Sequence, residues 1–321
     1  MTKQTGLGAN FYASGNQISN DTSQVNKIAG PMSPIDVTGI DKSAHERLGG
    51  HRSGEISWTS FFNPTVAHPV LSALPTADAL TTFAVPLGAP PLAIGAPCAS
   101  HVCKQLDYDP QRGTDGSLLF SVDSLSNGYG LEWGDALTPG VRTDTAATNG
   151  ASFDGGGGFT TPAVPASTVA VQNTSLLTAT VVISGGTMTN VSVNGVTVGA
   201  GAGTYTVPFG QSITMTYTVA PTWTWTLATA FGLQAYLHVF AITGTDVTIK
   251  LQDSADNATF ADLAGGAFTQ VTSAPGWQRI ALSNTATVRR YLRVATTTVG
   301  GFTNAAFFVQ ATRNETAGQV F

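Results

Sequence analysis

Between Asp154 and Asp246 the chain carries no aspartate, glutamate, lysine or arginine, although such residues occur on both sides of the gap. A segment without ionic groups stays hydrated only through hydroxyls and amides. Pleated strands supply these by setting Thr, Ser and Asn on the face opposite an apolar core. The runs "STVAVQN", "TATVVISG", "TNVSVNGVTVG", "GTYTVPFG" and "SITMTYTV" have that character and are separated by turn residues. Asn194-Gly195, between "VSV" and "VTV", predicts a tight hairpin, because both turn positions need positive φ. The segment reads as a small inserted Ig-like β-sandwich. It is entered through "DGGGGF" (154–159) and "TTPAVPAS", both read as flexible linkers, and left near "APTWTWTLATAFG".

The flanking regions are also strand-like. The chain has 321 residues with 36 glycines and 10% charged residues, and much of the remainder is Thr, Ser and Asn, which suits strands joined by turns. The predicted class is all-β with minor α. Before the insert, "GEISWTSFF" and "LTTFAVPLG" read as strands, and "HPVLSALPT" as a short helix opened by Pro69. "SHVCKQLDYDPQRGTDGSLLFSVDS" reads as a long hairpin. After the insert, "LQAYLHVFAITGTDVTIKLQDSADNATF", "FTQVTS", "QRIAL", "RRYLRVATTT" and "AAFFVQATRN" are spaced as strands of a sandwich. The division expected is 1–158, the insert at 159–226, and 227–321.

Net charge is −5 with a pI near 5.4, which disfavours tight binding of phosphate backbones. The opening "MTKQTGLGANFYASGNQ" lacks the apolar core of a signal peptide, and no run approaches the roughly 20 apolar residues of a membrane span; the chain reads as soluble and made in the cytoplasm. Residues 1–154 hold fourteen acidic and eight basic side chains, whereas Arg289, Arg290 and Arg293 cluster beside Tyr291. Opposite-signed regions in one chain favour self-association.

The stretch "DKSAHERLGGHRSGEISWTSFF" (41–62) crowds ionisable groups as an active site does. A metalloprotease helix needs His at i and i+4, but His45 and His51 are six apart and Gly49-Gly50 disfavours a helix. No G-x-S-x-G elbow is present, and carboxylate pairs drawn from Glu132, Asp135 or the hairpin aspartates are what any acidic β protein offers. "CASHVC" has no second knuckle for zinc, so Cys103 reads as a small buried strand residue. "DYDPQRGTDG" and "DSADNATF" lack EF-hand spacing and read as turns. "PTWTWTL" puts both indoles on one sheet face; the core is favoured over a sugar-binding platform. No catalytic residue, metal or cofactor is implied.

Several segments together resemble the major tail (tail tube) proteins of long-tailed, non-contractile bacteriophages, chiefly those of actinobacterial hosts. They are "PIDVTGIDKSAHERLGGHRSGEISWTSFFNP" with "AHPVLSALPTAD", "DYDPQRGTDGSLLFSV", "GLQAYLHVFAITGTDVTIKLQDSADNATFADLAGGAFTQVT", "VRRYLRVATTT" and "FTNAAFFVQATRNE". The likeness covers most of 8–154 and 227–316; the insert is a departure resembling small β modules of assorted phage tail proteins. The resemblance implies a tail-tube-type β-sandwich or barrel subunit with a long hairpin. Such subunits close into rings, typically hexameric, that stack into a hollow tube around a tape-measure protein and later pass DNA without binding it specifically. The implied partners are further copies, the tape-measure protein, the tail terminator and distal tail proteins, with no membrane. The implied location is the virion tail, assembled in the host cytoplasm. On this reading the charged stretch with Asp41, His45, Glu46, Arg47, Arg52 and Glu55 is an assembly loop. Asp107, Asp109, Asp115 and Asp123 belong to a lumen or inter-ring hairpin, and the insert projects outward. The competing readings are a tail adhesin that recognises glycans through the insert or the C-terminal sandwich, and a cell-wall hydrolase.

Overall fold

A computed structural model describes residues 6–73, 77–87, 90–175, 177–227, 229–314, 317–319 and 321. The fold is all-β, and the described residues hold one short α-helix, one 3-10 turn and several antiparallel sheets. At its centre two long strands, Ala230–Gly244 and Phe302–Asn314, pair antiparallel along most of their length. Their sequences are near-continuous apolar runs because both faces are covered. Leu233, Leu237 and Val239 point one way with Phe307 and Val309, into a core shared with Ile249, Leu251, Leu292 and Val294. Those last four belong to a second sheet, ordered Asn149–Asp154, Tyr291–Thr297, Thr248–Ser254, Ala261–Ala267. The alternate positions, Tyr236, His238, Phe240 and Phe308, face the other way, against Tyr12, Leu80 and Cys98.

Tyr12, Leu80 and Cys98 lie in the far half of the large sheet. From the central pair it continues through Glu132–Ala136, Pro97–Arg112, Ala79–Ala84 and Asn10–Ala13. The sheet rolls until its ends meet: the turn after Asn10–Ala13 lies against Val239 and Gly276 so closely that a Cβ on Gly15 would approach their backbone to 2.4–2.6 Å. Gly15 also has φ +78°, so both the contact and the conformation demand glycine there.

The seam is polar. Gly15 N–H donates to His238 Nδ1 (3.1 Å), which fixes the imidazole proton on Nε2, and Nε2–H donates to Thr82 Oγ1 (2.9 Å). The Thr82 and Ser100 hydroxyls lie 2.6 Å apart, and Ser100 donates to Gln310 Oε1 at 2.9 Å. The chain of donors has one direction and links four strands.

The long hairpin is present, Pro97–Arg112 against Leu118–Ser126, and it extends through Glu55–Phe61 to the edge strand Thr22–Ala29. Ile56 and Trp58 of "GEISWTSFF" are buried there, Trp58 with its ring 4.7 Å from Phe11. Cys98 and Cys103 are free and buried. The helix runs Ala67–Leu71, so Pro69 is its third residue rather than its first; its predicted last three positions, 74–76, lie outside the described residues, as do 1–5. The earlier start follows from Asn63 Oδ1, which accepts from the backbone N–H groups of Thr65 (3.0 Å) and Val66 (3.2 Å) and turns the chain into the helix.

The charge-free segment forms two facing sheets, one of four strands and one of three, around Val181, Ile183, Val191, Ile213, Trp223 and Trp225. Asn194 and Gly195 both have positive φ, as their hairpin requires. The two indoles of "TWTWTL" are buried and meet edge to face, with Trp223 Nε1 donating to Pro162 O (2.8 Å), so they form no surface platform.

The entry segments are not flexible linkers. In "DGGGGF" Asp154 accepts from Gly156 N–H and Gly158 N–H, both at 2.8 Å, and Arg290 grips it through Nε (2.6 Å) and Nη2 (2.8 Å) while also donating to Phe159 O (3.0 Å). "TTPAVPAS" lies along the insert, with Tyr217 Oη donating to Pro165 O at 2.6 Å. A glycine-rich string becomes rigid when one carboxylate satisfies its free N–H groups.

Two buried histidines give stability a definite pH response. Burial holds His238 down to about 3 and His101, between Ser124 and Ser126, down to about 4, whereas burial lifts Asp135 to about 6. The unfolded imidazoles take protons near 6.5, so their contribution is complete above that pH and is lost as pH falls toward the folded values. Asp135 acts in the opposite sense between its unfolded value and 6. The net expectation is a loss of about one proton's worth, ~1.4 kcal/mol per pH unit, from pH 6 to 4.5. Urea unfolding across that range checks it: His101→Asn should flatten the slope and Asp135→Asn should steepen it.

Candidate assembly surfaces

The sequence places six charged residues in a single loop, and the structure divides them. Residues 47–52 are not loop but the strand Arg47–Arg52, paired with Met32–Asp36 as a two-stranded arm whose apex is 37–46. Among the described residues no third strand covers either edge. The cause is local: Thr38 Oγ1 accepts from Glu46 N–H (2.9 Å) and Val37 N–H donates to Glu46 O (2.9 Å), which zips the base of the apex. The ladder then runs on to Pro34 opposite Gly49 and Met32 opposite Arg52, with a shift of register at Gly50 and His51. A Cβ at Gly49 would meet Met32 Sδ at 2.2 Å, and one at Gly50 would meet Ser33 O at 2.7 Å.

Asp41, His45, Glu46 and Arg47 sit at the exposed outer end. His45 Nδ1 is 3.1 Å from Asp36 Oδ2, and Lys42 pairs with Glu46 at 3.4 Å. Hydrogen bonds from the Thr38 hydroxyl and N–H hold the Asp36 carboxyl below the usual range, with His45 adding to them. The side chains of Arg47 and Asp41 make no ion pair or hydrogen bond among the described residues. Exposed pairs of this kind contribute little to stability, so the fold does not need these charges.

Arg52 and Glu55 belong to the base. Arg52 donates to Glu132 Oε1 (3.1 Å) and Leu131 O (3.2 Å), pinning the arm to the large sheet. Desolvation raises the Glu132 carboxyl even though Arg52 opposes it. Glu55 pairs with Lys27 across two strands at 2.7 Å.

The four hairpin aspartates also divide. Strand alternation turns Tyr108, Phe120 and Val122 toward the helix and Trp58 and sends Asp107, Asp109 and Asp123 to the opposite face. Asp107 and Asp123 stand directly across the ladder from one another. Desolvation first, then Asp107, Glu55 and Asp109, raise the Asp123 carboxyl. Glu55 therefore joins this acidic face electrostatically, although sequence spacing groups it with the arm. Asp115 is at the hairpin turn, where its Oδ1 accepts from Ser117 N–H (3.0 Å) and Oγ–H (2.7 Å). Likewise Asp256 of "DSADNATF" accepts from the N–H groups of Ala258 (2.9 Å) and Thr259 (2.8 Å). Turn chemistry accounts for both, and no group of three or more His, Cys, Asp or Glu suited to a metal ion occurs among the described residues.

Sequence reasoning missed the apolar content of the arm. Met32, Ile35, Val37 and Leu48 are 45–59% exposed, and Ile40 at the apex is completely exposed. The signal was present as "PIDVTGI" beside the charges, but period-2 alternation looks the same whether its apolar face meets the protein's own core or another chain.

No protein-family model matches this chain, and no curated protein matches it by sequence. Among solved structures, a chain from the virion of a native gene transfer agent particle aligns at 16% identity and a TM-score of 0.32, over 41% of this chain and 98% of its own length. A chain from the tail of an empty particle of that kind, determined with C6 helical symmetry, aligns at 18% identity and 0.30, over 41% and 98%. The SPP1 Dit protein, from the hub of the adsorption apparatus of phages infecting Gram-positive bacteria, aligns at 10% identity and 0.27, over 95% and 98%.

The base of the arm yields a test independent of assembly. Arg52→Ala should lower monomer stability by about 2 kcal/mol, because it strands a buried carboxylate, and adding Glu132→Gln should recover most of the loss. Denaturant unfolding of the single and double variants measures both.

Proposed function

We propose that the chain is a structural, non-enzymatic subunit of a phage tail that polymerises as stacked rings, six subunits to a ring, into the hollow tube through which DNA is delivered. The observation that carries this is the arm. A two-stranded ribbon is marginal alone in water, and one that displays five large apolar side chains on a charged frame is completed by another chain. The other support is the sequence resemblance to tail tube proteins, from which the ring number, the tape-measure, terminator and distal tail partners, and assembly in the host cytoplasm are drawn.

In this reading Asp41, His45, Glu46 and Arg47 steer the arm onto a neighbour, with rim charges setting encounter and register rather than bulk affinity. Asp107, Asp109 and Asp123 give an acidic face fit for a lumen, where repulsion keeps the passing duplex from adhering. The insert stands on the outside of the wall, since a module of this size in every subunit would block the bore.

Negative-stain microscopy of the purified chain should show hollow tubes with lateral knobs. Glu46→Lys and Arg47→Glu should shorten the tubes or lower their yield, and wild-type polymerisation by both variants would remove the arm tip from the assembly contact. A chain lacking 159–225 should unfold more readily, because Leu177 of the insert packs into the core of the frame, yet still assemble. Failure to assemble at a temperature where the shortened chain stays folded would make the insert part of the wall.

A further inference from the structure

The arm needs a receiving surface, and the described residues include a groove suited to it. At the foot of the arm, between Met32, His51 and Arg52 on one side and Tyr129, Glu132 and Gln234 on the other, lies an open cavity of about 760 Å³. That volume falls within the range of well-formed binding pockets and holds a loop apex of a few residues. Its walls are mixed. Met32 and Tyr129 are both about half exposed, and the Tyr129 ring is held in place by Arg279, whose guanidinium lies 3.7 Å from the ring centroid. Arg52 lines the groove and Arg279 stands behind Tyr129, both near Glu132, which Arg52 engages.

The tip of the arm is complementary. Ile40 is wholly exposed, and beside it Asp41 is a carboxylate with no ion pair or hydrogen bond among the described residues. An apolar side chain followed by an unpaired acid fits a groove that offers the Met32 and Tyr129 side chains beside the guanidinium groups of Arg52 and Arg279. A chain cannot serve its own groove. The arm holds about five residues in each strand, so apex and base are separated by roughly 15–20 Å at ~3.3 Å per residue.

We propose that the groove at the base of the arm receives the arm apex, Ile40 and Asp41, of a second copy of this chain. The contact is heterologous: each subunit offers a tip at one end of the arm and a groove at the other, so every subunit added leaves one of each free. A single contact type, repeated, then closes a ring or links one ring to the next. The assignment rests on the polymerising reading above and adds to it which two surfaces meet.

Disulfide trapping tests it on the full-length chain. Ile40→Cys and His51→Cys are both at exposed positions, and native Cys98 and Cys103 are buried, so mild oxidation reports only the introduced thiols. A disulfide needs Cα atoms within about 7 Å, which the length of the arm forbids inside one chain. The double variant, assembled and oxidised, should give a ladder of covalent multimers on a non-reducing gel. Equal parts of the two single variants should give covalent dimers containing one of each. Asp41→Cys with His51→Cys serves as a second pair if loss of Ile40 hinders assembly. Tubes that form while both pairs remain uncrosslinked and reactive to maleimide would overturn the groove assignment and leave the tube reading standing. Wild-type protein that stays monomeric at all concentrations would overturn both.

Discussion

The pairing of Ala230–Gly244 with Phe302–Asn314 is the contact on which the rest of the molecule depends. Because side chains alternate across a strand, one ladder supplies two cores: Leu237, Val239, Phe307 and Val309 to the second sheet, and Tyr236, His238 and Phe308 to the rolled half of the large sheet. A shift of one residue would exchange the two sets, putting His238 among aliphatic side chains and Leu237 against the Thr82–Ser100 hydroxyls. The register is thus specified from both sides. Every other segment is placed relative to this pair, including the arm and the acidic hairpin, which reach it through Glu132–Ala136 and Pro97–Arg112.

Much of the fold was legible in the sequence because it rests on local rules. Alternation gives the strands "EISWTSFF" and "TWTWTL", and Asn194-Gly195 gives its hairpin. The long "CKQLDYD…LLFSVD" hairpin follows from two β runs around a glycine-rich turn. The failures were non-local. "DGGGGF" looks flexible until Arg290, 136 positions away, closes on Asp154. "RLGGHR" looks like a loop because glycines disfavour strands on average, yet here they are what lets Met32 and Ser33 approach.

The candidate surfaces were legible as a set of residues and not as an arrangement. The crowding of charge in 41–55 conceals two roles. Arg52 holds the base to the frame and Glu55 bridges two strands of the frame, whereas Asp41, His45, Glu46 and Arg47 sit at the tip. The division depends on whether a partner lies across a ladder or on another sheet, as Glu132 does 80 positions from Arg52. The same holds for the hairpin, where pleating turns three aspartates onto one face and leaves Asp115 to the turn.

The clasp at Asp154 also brings the two ends of the insert to one place. A Cβ added to Gly156, in the turn that enters the insert, would touch both Arg290 and the side chain of Leu227, at the end of the strand that leaves it. The chain leaves the frame and returns to it through a single doorway guarded by one ion pair. Such a doorway accepts a folded domain whose own ends lie side by side, provided that it also supplies an apolar side chain where Leu177 now packs into the core of the frame. Because the present occupant carries no ionic side chain, two copies of it brought close together would exert no net-charge repulsion on each other.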